Sequence, residues 1–280
     1  MTKDAEQIYA ADDIDIVVEC MGGKGAAYRF VKAALERGKH VVTSNKELIA
    51  DCGEELERIA REKGVCLRYE ASCGGGIPVI KPIEEDLAAN RITRVAGILN
   101  GTTNYILTRM VRSGASFEDA LREAQKKGYA EADPTADVEG IDAGRKICIL
   151  ADLAFGHQVS PNQVPMEGTT KLDLKDVEIA QRHGYQIKLL GRCLRLEGGR
   201  RTAYVAPHLI SEENPMSDVN DVFNAVVVRG NATGEVMFYG KGAGELPTAS
   251  ACVADVIECL QEERHRRSAG APIPAALPLR

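Results

Sequence analysis

The sequence predicts an α/β protein: a partial doubly wound (Rossmann-like) parallel sheet, followed by an α+β domain with a mixed sheet. Continuous apolar runs alternate with helical patterns over the first seventy residues, as in strands that are buried on both faces. The pattern then changes to further helices and a series of strands separated by turn glycines. A length of 280 residues is enough for two ordinary domains.

Three apolar runs are the predicted strands of the first domain: "IDIVVEC" at 14–20, "HVVTS" at 40–44 and "VCLRYEAS" at 65–72. Helical patterns lie between them at 25–37 and 46–63, and the second ends at a basic residue followed by Gly64. Strands separated by helices of this length connect by right-handed crossovers. The three strands are therefore expected to form a parallel sheet.

The second domain begins where "GGGIP" at 74–78 breaks the third strand and starts a helix predicted to reach Asn90. The further elements are a strand at 92–99, helices at 102–113, 116–127 and 141–155, and an antiparallel or mixed sheet formed by "YQIKLLGRCLRL", "RRTAYVAPHLI", "NAVVVRG" and "GEVMFYG". A last helix is predicted at 247–266, starting at Pro247 with Thr248 as a plausible cap.

These elements divide the chain into two predicted domains. Residues 1–72, rejoined by 247–266, form the partial nucleotide-binding domain, and residues 73–246 form the substrate-binding, catalytic and dimerisation domain. The segment 267–280 is rich in proline and alanine, and we expect it to be disordered.

The composition excludes several classes of protein. A net charge of −6 with interspersed signs disfavours nucleic acid or an anionic membrane as a partner. Apolar runs fall short of the roughly 20 residues that a membrane span needs, and the polar N-terminus is unlike a signal peptide. The eight cysteines include no CxxC pair, so we interpret them as reduced thiols of a cytoplasmic protein rather than disulfides or zinc ligands.

The segment "EADPTADVEGIDAGRK" at 131–146 places five carboxylates beside one lysine. Asp142 and Lys146 are four residues apart, so they share one face of the apolar helix that follows. Burial lowers the pKa of such a lysine while nearby carboxylates raise it, which suits proton transfer near neutral pH. The acids also suit a substrate that carries an ammonium group. The alternative is an ordinary surface ion pair.

A second motif, "GILNGTTNY" at 97–105, leads a strand into a helix. Thr102 or Thr103 is expected to cap that helix. The free backbone N–H groups at the helix start suit a carboxylate. A simple capped turn explains the same residues.

The motif "VVTSNKELIA" at 41–50 places Asn45 and Lys46 just after the carboxyl end of a strand, and "ECMGG" at 19–23 ends a neighbouring strand at the same edge. Ligands of open α/β sheets bind along this edge. Lys46 is otherwise a solvated lysine, although a cation at a helix N-terminus is unfavourable without an anion nearby. The glycines of "YEASCGGGIP" at 69–78 and "GKGAGELPTAS" at 240–250 allow the backbone to approach a ligand or an ion closely.

Taken together, these blocks resemble the homoserine dehydrogenase family over about residues 12–260, in the order and with the spacing of that family. The resemblance implies NAD(P)-dependent interconversion of L-aspartate 4-semialdehyde and L-homoserine, in threonine, methionine and isoleucine biosynthesis. It also implies a cytoplasmic homodimer or homotetramer.

Site residues are implied by the same resemblance. Lys146 corresponds to the proton donor, and Lys46 lies close to both nicotinamide and substrate. The implied substrate-binding residues are Glu131, Asp137, Asp142, Gly101 and Thr102. The implied cofactor-binding residues are Met21, Gly22, Asn45, Lys46 and Gly242. The implied site for a sodium ion, formed largely by main-chain carbonyls, comprises Glu70, Cys73, Gly75 and Ile77, with Cys73 replacing an aliphatic residue.

Members of this family normally begin with a strand and G-x-G-x-x-G, a spacing that this sequence lacks, and a C-terminal regulatory module is lacking too. We therefore expect weaker dinucleotide binding, an exposed sheet edge and poorer packing of residues 1–65, with pairing of two copies through the second sheet. One alternative is a truncated, non-catalytic homologue that keeps the amino-acid site and the dimer interface. An unrelated lyase or isomerase with a lysine base is the other.

Overall fold

The computed structural model describes residue 2 and residues 4–269 of the chain. Its helices are α1 (Glu6–Ala10), α2 (Gly25–Glu36), α3 (Lys46–Lys63), α4 (Gly101–Ser113), α5 (Phe117–Lys126), α6 (Thr135–Val138), α7 (Ile141–Phe155), α8 (Leu174–Arg182) and α9 (Glu245–Ala269). Its strands are β1 (Ile16–Glu19), β2 (His40–Thr43), β3 (Leu67–Arg68), β4 (Ile92–Ile98), β5 (Tyr185–Arg195), β6 (Arg201–Ser211), β7 (Phe223–Gly230) and β8 (Gly234–Lys241).

The first sheet is parallel with the order β1-β2-β3, which confirms the predicted fold of this half. The predicted third strand shortens to two residues, because the chain turns into a 3-10 helix at Glu70–Ser72. Helix α3 has the predicted bounds and ends at Gly64, whose φ of 64° is left-handed. A left-handed residue at this position closes the helix end.

The second sheet has the order β6-β5-β4-β7-β8, and its five strands pair antiparallel. Of the two forms predicted, antiparallel or mixed, the strands adopt the antiparallel one, and an isolated parallel bridge joins Met166 to Val205 of β6. The physical reason is connectivity: β5–β6 and β7–β8 are hairpins, and a hairpin can join only antiparallel strands.

Two predicted helices are corrected by the structure. The helix expected at 74–90 is reduced to a π-helical turn at Pro82–Asp86. The preceding residues Gly74 and Gly75 have positive φ, which no right-handed helix accommodates. Helix α9 begins at Glu245, two residues before Pro247, and Thr248 N–H already donates within it to Gly244 O, so Thr248 is not its cap.

The structure adds one helix and lengthens another. Helix α8 lies in a segment where no helix or strand is predicted from the sequence. Helix α9 continues through Ala269, and the rest of the predicted tail, 270–280, lies outside the described residues. Within the described part of the chain, no helix combines the length and apolar character needed to cross a membrane.

One hydrophobic core connects the two sheets. Val31, Leu35 and Leu48 of the first half are each at most 1% exposed, and Ile147 and Leu150 of α7 belong to the same cluster. The expectation that residues 1–65 pack poorly is wrong for α2 and α3, which bury one face each against the core that α7 shares. It holds for the described residues before α2, of which only Tyr9 and Glu19 are buried, and Val18 of the edge strand β1 is 47% exposed. The catalytic candidates of α3 and α7 are held close to each other by the shared core.

Candidate functional site

Lys146 lies in the second turn of α7, and its side chain is buried, with the residue 7% exposed. Its ammonium donates to the main-chain oxygen of Leu99 at 2.7 Å and to Asp142 Oδ2 at 2.8 Å. The helix begins after Gly140, whose φ of 80° is left-handed. The sharp turn at Gly140 places the first turns of α7 against the end of β4.

Lys146 and Asp142 are both charged, because each side chain stabilises the ionised form of the other. Burial alone raises the pKa of Asp142, but the ammonium groups of Lys146 and Lys46 outweigh it and hold that pKa well below its usual range. Burial alone lowers the pKa of Lys146, but Asp142 outweighs it and the pKa is raised. The expected lysine pKa near neutrality is not found, so Lys146 is an ammonium at physiological pH.

Lys46 joins the cluster from the start of α3. Its Nζ lies 2.5 Å from Asp142 Oδ1, and its side chain is 37% exposed. The carboxylate provides the anion that a lysine at the positive end of a helix requires. A second ion pair, Arg145–Glu47 at 2.6 Å, joins the same two helices. Asp142 therefore bridges two lysines, one buried and one partly accessible to ligand.

Asn100 connects this cluster to α4. Its Oδ1 accepts from the N–H of Thr103 at 2.8 Å, and its Nδ2 donates to Asp137 Oδ1 at 2.7 Å and to Asp142 Oδ2 at 2.9 Å. The predicted cap at Thr102 or Thr103 is thus wrong, because Asn100 precedes both residues and its side chain accepts from the Thr103 amide. The Thr102 hydroxyl instead donates to Tyr129 O at 2.6 Å.

Asp137 and Gly101 complete the cluster. Burial raises the pKa of Asp137, and the neighbouring Asp142 raises it further, while the Asn100 hydrogen bond lowers it. A Cβ at Gly101 would meet Val222 O at 2.9 Å, so the start of α4 lies close to the segment before β7.

Glu131 is exposed on the loop before α6. Gln125 Nε2 donates to its main-chain oxygen at 3.1 Å. In the described residues its carboxylate has no ion pair or hydrogen bond, and the structure does not bring it into the Asp142–Lys146 cluster. The loop is nevertheless anchored beside α4, because the carbonyl of Tyr129, two residues earlier, accepts from Thr102.

The carboxyl edge of the parallel sheet carries a second set of contacts. Asn45 caps α3 by accepting from Leu48 N–H at 3.0 Å, and its Nδ2 donates to Met21 O at 3.2 Å and Gly23 O at 2.7 Å. The loop after β1 is thereby fixed to the start of α3. Met21 and Gly22 are exposed, and the space around Gly22 is open. These residues fit a group lying over the sheet edge, as a nicotinamide cofactor would.

The buried loop that follows β3 includes the predicted cation ligands Glu70, Cys73, Gly75 and Ile77. The Glu70 carboxylate accepts from the N–H groups of Val79, Ile80 and Lys81 at 2.6–2.9 Å. Its side chain thus caps the following turn, which leaves main-chain oxygens as the possible cation ligands of this loop. That donor set suits a hard monovalent cation.

Gly242 packs against this loop. A Cβ at Gly75 would meet Gly242 O at 2.4 Å, and a Cβ at Gly242 would meet Asn224 Nδ2 at 2.0 Å. Gly76 N–H donates to Lys241 O at 3.1 Å. The two glycine segments therefore approach backbone to backbone at the junction of β8 and α9.

Comparison with known protein families assigns nearly the whole chain. The family described as homoserine dehydrogenase matches residues 78–257, and its NAD binding domain matches residues 1–70. The chain belongs to the homoserine dehydrogenase family. A homoserine dehydrogenase of Neisseria gonorrhoeae is 49% identical over 256 residues, covering 91% of this chain and 59% of the relative. One of Pseudomonas aeruginosa is 49% identical over 261 residues, covering 93% and 60%.

Solved structures of homoserine dehydrogenases share the fold. The enzyme of Thiobacillus denitrificans superposes with a TM-score of 0.92 at 45% identity, covering 98% of this chain and 63% of that chain. A hyperthermophilic archaeal homoserine dehydrogenase in complex with NADPH gives 0.78 at 30% identity, covering 92% and 75%. This chain spans about 60% of the length of the curated homoserine dehydrogenases it matches.

Two polar residues of the site were missing from the site residues implied by the sequence. Asn100 carries a recognisable signal, because an asparagine before a helical run is a common N-cap. Glu19 ends β1, and its carboxylate accepts from Met21 N–H and from the Thr43 hydroxyl, both at 2.5 Å. The sequence does contain a signal for Glu19, which is a carboxylate at the end of an apolar strand.

Proposed function

We propose that this chain catalyses the NAD(P)-dependent interconversion of L-aspartate 4-semialdehyde and L-homoserine. The observation that carries the proposal is the buried Lys146 ammonium, paired with Asp142 and bonded to the end of β4. This chain spans about 60% of the length of its relatives, so the activity is inferred from the residues of this site.

Lys146 acts as the proton donor. Reduction of an aldehyde by the hydride of a bound NAD(P)H places negative charge on the carbonyl oxygen. An ammonium held beside that oxygen stabilises the charge and transfers a proton to it, an effect of roughly 10²–10⁴-fold. The raised pKa of Lys146 supports this direction, because the protonated form is the one present before reduction.

Glu131 faces the ammonium of the amino acid, with Asp137 beside it, and Asp142 contacts the substrate next to Lys146. Asp137 and Asp142 are held by Asn100, and the unpaired carboxylate of Glu131 lies on the loop anchored to Thr102. The amides at the start of α4, at Gly101 and Thr102, receive the substrate carboxylate, as helix N-termini do. Opposite charges at the two ends of the substrate thus orient its aldehyde.

NAD or NADP lies along the carboxyl edge of the parallel sheet. Met21, Gly22, Asn45 and Lys46 border its nicotinamide end, and Gly242 supports the neighbouring loop. The match of residues 1–70 to an NAD binding domain and the NADPH complex of an archaeal relative support this assignment. A sodium ion is held by main-chain oxygens of Glu70, Cys73, Gly75 and Ile77.

Two copies of the chain pair through the antiparallel sheet. Tyr239 of the edge strand β8 is 56% exposed and stacks on Phe223, and Met237 lies on the same face, half-buried. A second copy would remove this apolar surface from water. Tyr239→Lys should convert the dimer to a monomer in sedimentation, while Ile179→Lys on the opposite face should not. A monomeric native chain would overturn the pairing.

The reduced cysteines suit the cytoplasm.

The activity is tested with the 280-residue chain itself. Homoserine is incubated with NAD and, separately, with NADP, while absorbance of the reduced nicotinamide is followed. We expect an increase with at least one cofactor, and its loss in Lys146→Met. A constant absorbance from protein with native circular dichroism would overturn the proposal.

A further inference from the structure

A second cluster of chemically reactive side chains lies away from the site described above. It consists of His40, Cys66 and Cys259, all buried, whose ring nitrogen and two sulfurs lie within 4.8 Å of one another. The three residues are distant in sequence: His40 begins β2, Cys66 precedes β3, and Cys259 lies in α9.

The cluster lies at the amino edge of the parallel sheet. His40 is three residues before Thr43, which ends the same strand, so the two edges are separated by about 10 Å along β2. Lys46 and Asn45 follow the opposite, carboxyl end. The cluster is therefore separate from the residues that bind substrate and cofactor in the proposed function.

Two acidic side chains of α9 border the cluster. Glu262 and Glu263 follow Cys259 by three and four residues, so they share its helix face. The Cys66 thiol donates to Glu262 Oε2 at 2.8 Å, and His40 Nε2 lies 3.6 Å from Glu263 Oε2. Arg68 forms an ion pair with Glu262 and supplies a compensating positive charge.

We propose that His40, Cys66 and Cys259 bind a zinc ion. The Glu262 carboxylate, which contacts Cys66, borders the fourth position of that ion. Two sulfurs and one imidazole nitrogen form a donor set that zinc prefers and that hard cations such as Mg²⁺ do not. The cysteines lack CxxC spacing, so their sequence pattern predicts no metal site; the fold assembles the donors from three separate parts of the chain.

The hydrogen bonds of the histidine show what a metal on Nδ1 would change. His40 Nδ1 faces Cys66 and accepts from its main-chain N–H at 3.0 Å, a bond that the metal would replace. Nε2 faces Glu263. A metal on Nδ1 leaves the ring proton on Nε2 and directed to that carboxylate, the arrangement that orients many metal-binding histidines.

Metal binding displaces the thiol protons. The bound ion would join α9 to β2 and β3 and thereby fix the C-terminal helix on the sheet.

The test is a cobalt(II) titration of the reduced 280-residue chain, followed by competition with zinc. We expect one cobalt per chain with thiolate-to-cobalt charge-transfer absorption, displacement by one equivalent of zinc, and a zinc-dependent increase in Tm. Cys66→Ser and Cys259→Ser should lose the charge-transfer absorption. Cys252→Ser, a buried cysteine of the same helix, is the matched control and should keep it.

Glu263→Gln provides a second variant that keeps every metal ligand. We expect its zinc affinity to fall roughly 10–100-fold with unchanged stoichiometry. Absence of charge-transfer absorption in the native chain, or equal loss in Cys252→Ser, would overturn the proposal. A Cys66–Cys259 disulfide that forms in air, in a chain that binds no cobalt once reduced, would do so as well. These readouts are independent of dehydrogenase activity.

Discussion

The balance between burial and charge at Lys146 decides what this side chain can do. The same desolvation that would release its proton is outweighed by a carboxylate 2.8 Å away. A lysine in this state is a proton donor rather than a base before the reaction begins. Its proton becomes available only when another negative oxygen, that of the reduced carbonyl, competes with Asp142.

Substitution of Lys146 separates charge from proton donation. Lys146→Arg keeps a cation beside Asp142, but a guanidinium does not give up its proton in a protein. We expect kcat to fall roughly 10²–10⁴-fold in Lys146→Arg and Lys146→Met, measured by steady-state reduction of aspartate semialdehyde. The exposed lysine variant Lys126→Met should retain native rates. Near-native kcat in Lys146→Arg would contradict the role assigned to the ammonium.

Asp142→Asn tests the ion pair through its pH dependence. The variant leaves the Lys146 charge buried without its carboxylate, a loss of about 3–5 kcal/mol in unfolding free energy. The pKa of Asp142 is lowered in the folded state, so its contribution is present above its ordinary pKa of about 3.9 and is lost below it.

The difference in unfolding free energy between native chain and Asp142→Asn should therefore be large near pH 7 and decrease in strongly acid solution. Urea denaturation from acid to neutral pH measures it. Asp12→Asn, an exposed substitution, is the control and should leave the curve unchanged. A difference that is independent of pH would contradict the ion-pair origin.

At the scale of elements, the start of α4 is the point where helix structure and site chemistry meet. One side chain, Asn100, caps the helix with its oxygen and holds two acids with its nitrogen. The helix start and the acid cluster are therefore positioned by the same residue. The backbone N–H groups proposed to bind the substrate carboxylate are those of the next two residues, Gly101 and Thr102.

Two substitutions of Asn100 separate these roles. Asn100→Ala loses both and should destabilise the chain by about 2 kcal/mol, at the upper end of cap losses. Asn100→Ser keeps a capping oxygen, so it should recover most of the stability while KM for the amino acid remains raised. Thermal unfolding and KM are the two measurements. Full recovery of KM by serine would show that the amide donors do not position Asp137 and Asp142.

Local signals predicted some elements and missed others for identifiable reasons. Helices α3 and α7 have the predicted bounds, because each combines an apolar stripe with a terminal glycine. Helix α8 was missed because it buries only Val177 and Ala180, too few for a visible period. The π-helical turn at Pro82–Asp86 depends on Glu70, nine or more residues away, which the local pattern does not include.

In the molecule as a whole, the contact between the two glycine segments joins the first domain to the segment that follows the second sheet. Gly75 and Gly76 follow the parallel sheet, and Gly242 links the antiparallel sheet to α9. Their backbones approach too closely for a side chain. The chain therefore returns from the second sheet to the first at this contact, beside the proposed cation site.

Gly242→Ala tests that junction. Its Cβ would meet Asn224 Nδ2 at 2.0 Å, so the segment must move. We expect a loss of about 1–3 kcal/mol in stability and weaker cofactor binding, measured by thermal unfolding and by NAD(P)H fluorescence titration. Gly25→Ala, where nothing lies within 4 Å of the new Cβ, is the matched control and should be neutral or slightly stabilising. Equal losses of stability and cofactor binding in Gly242→Ala and Gly25→Ala would contradict a specific role for the close approach at Gly242.

The α/β class, the parallel strands, the bounds of α3 and α7, and the family resemblance follow from the amino-acid sequence, because apolar period, turn glycines and motif blocks are local properties. The folded chain is needed to see that Asn100 holds Asp137 and Asp142, that Glu131 is exposed, and that the strands of the second sheet pair antiparallel. The same holds for the cluster of His40, Cys66 and Cys259. These features depend on contacts between residues far apart in the chain, and such contacts leave no period or spacing in the sequence.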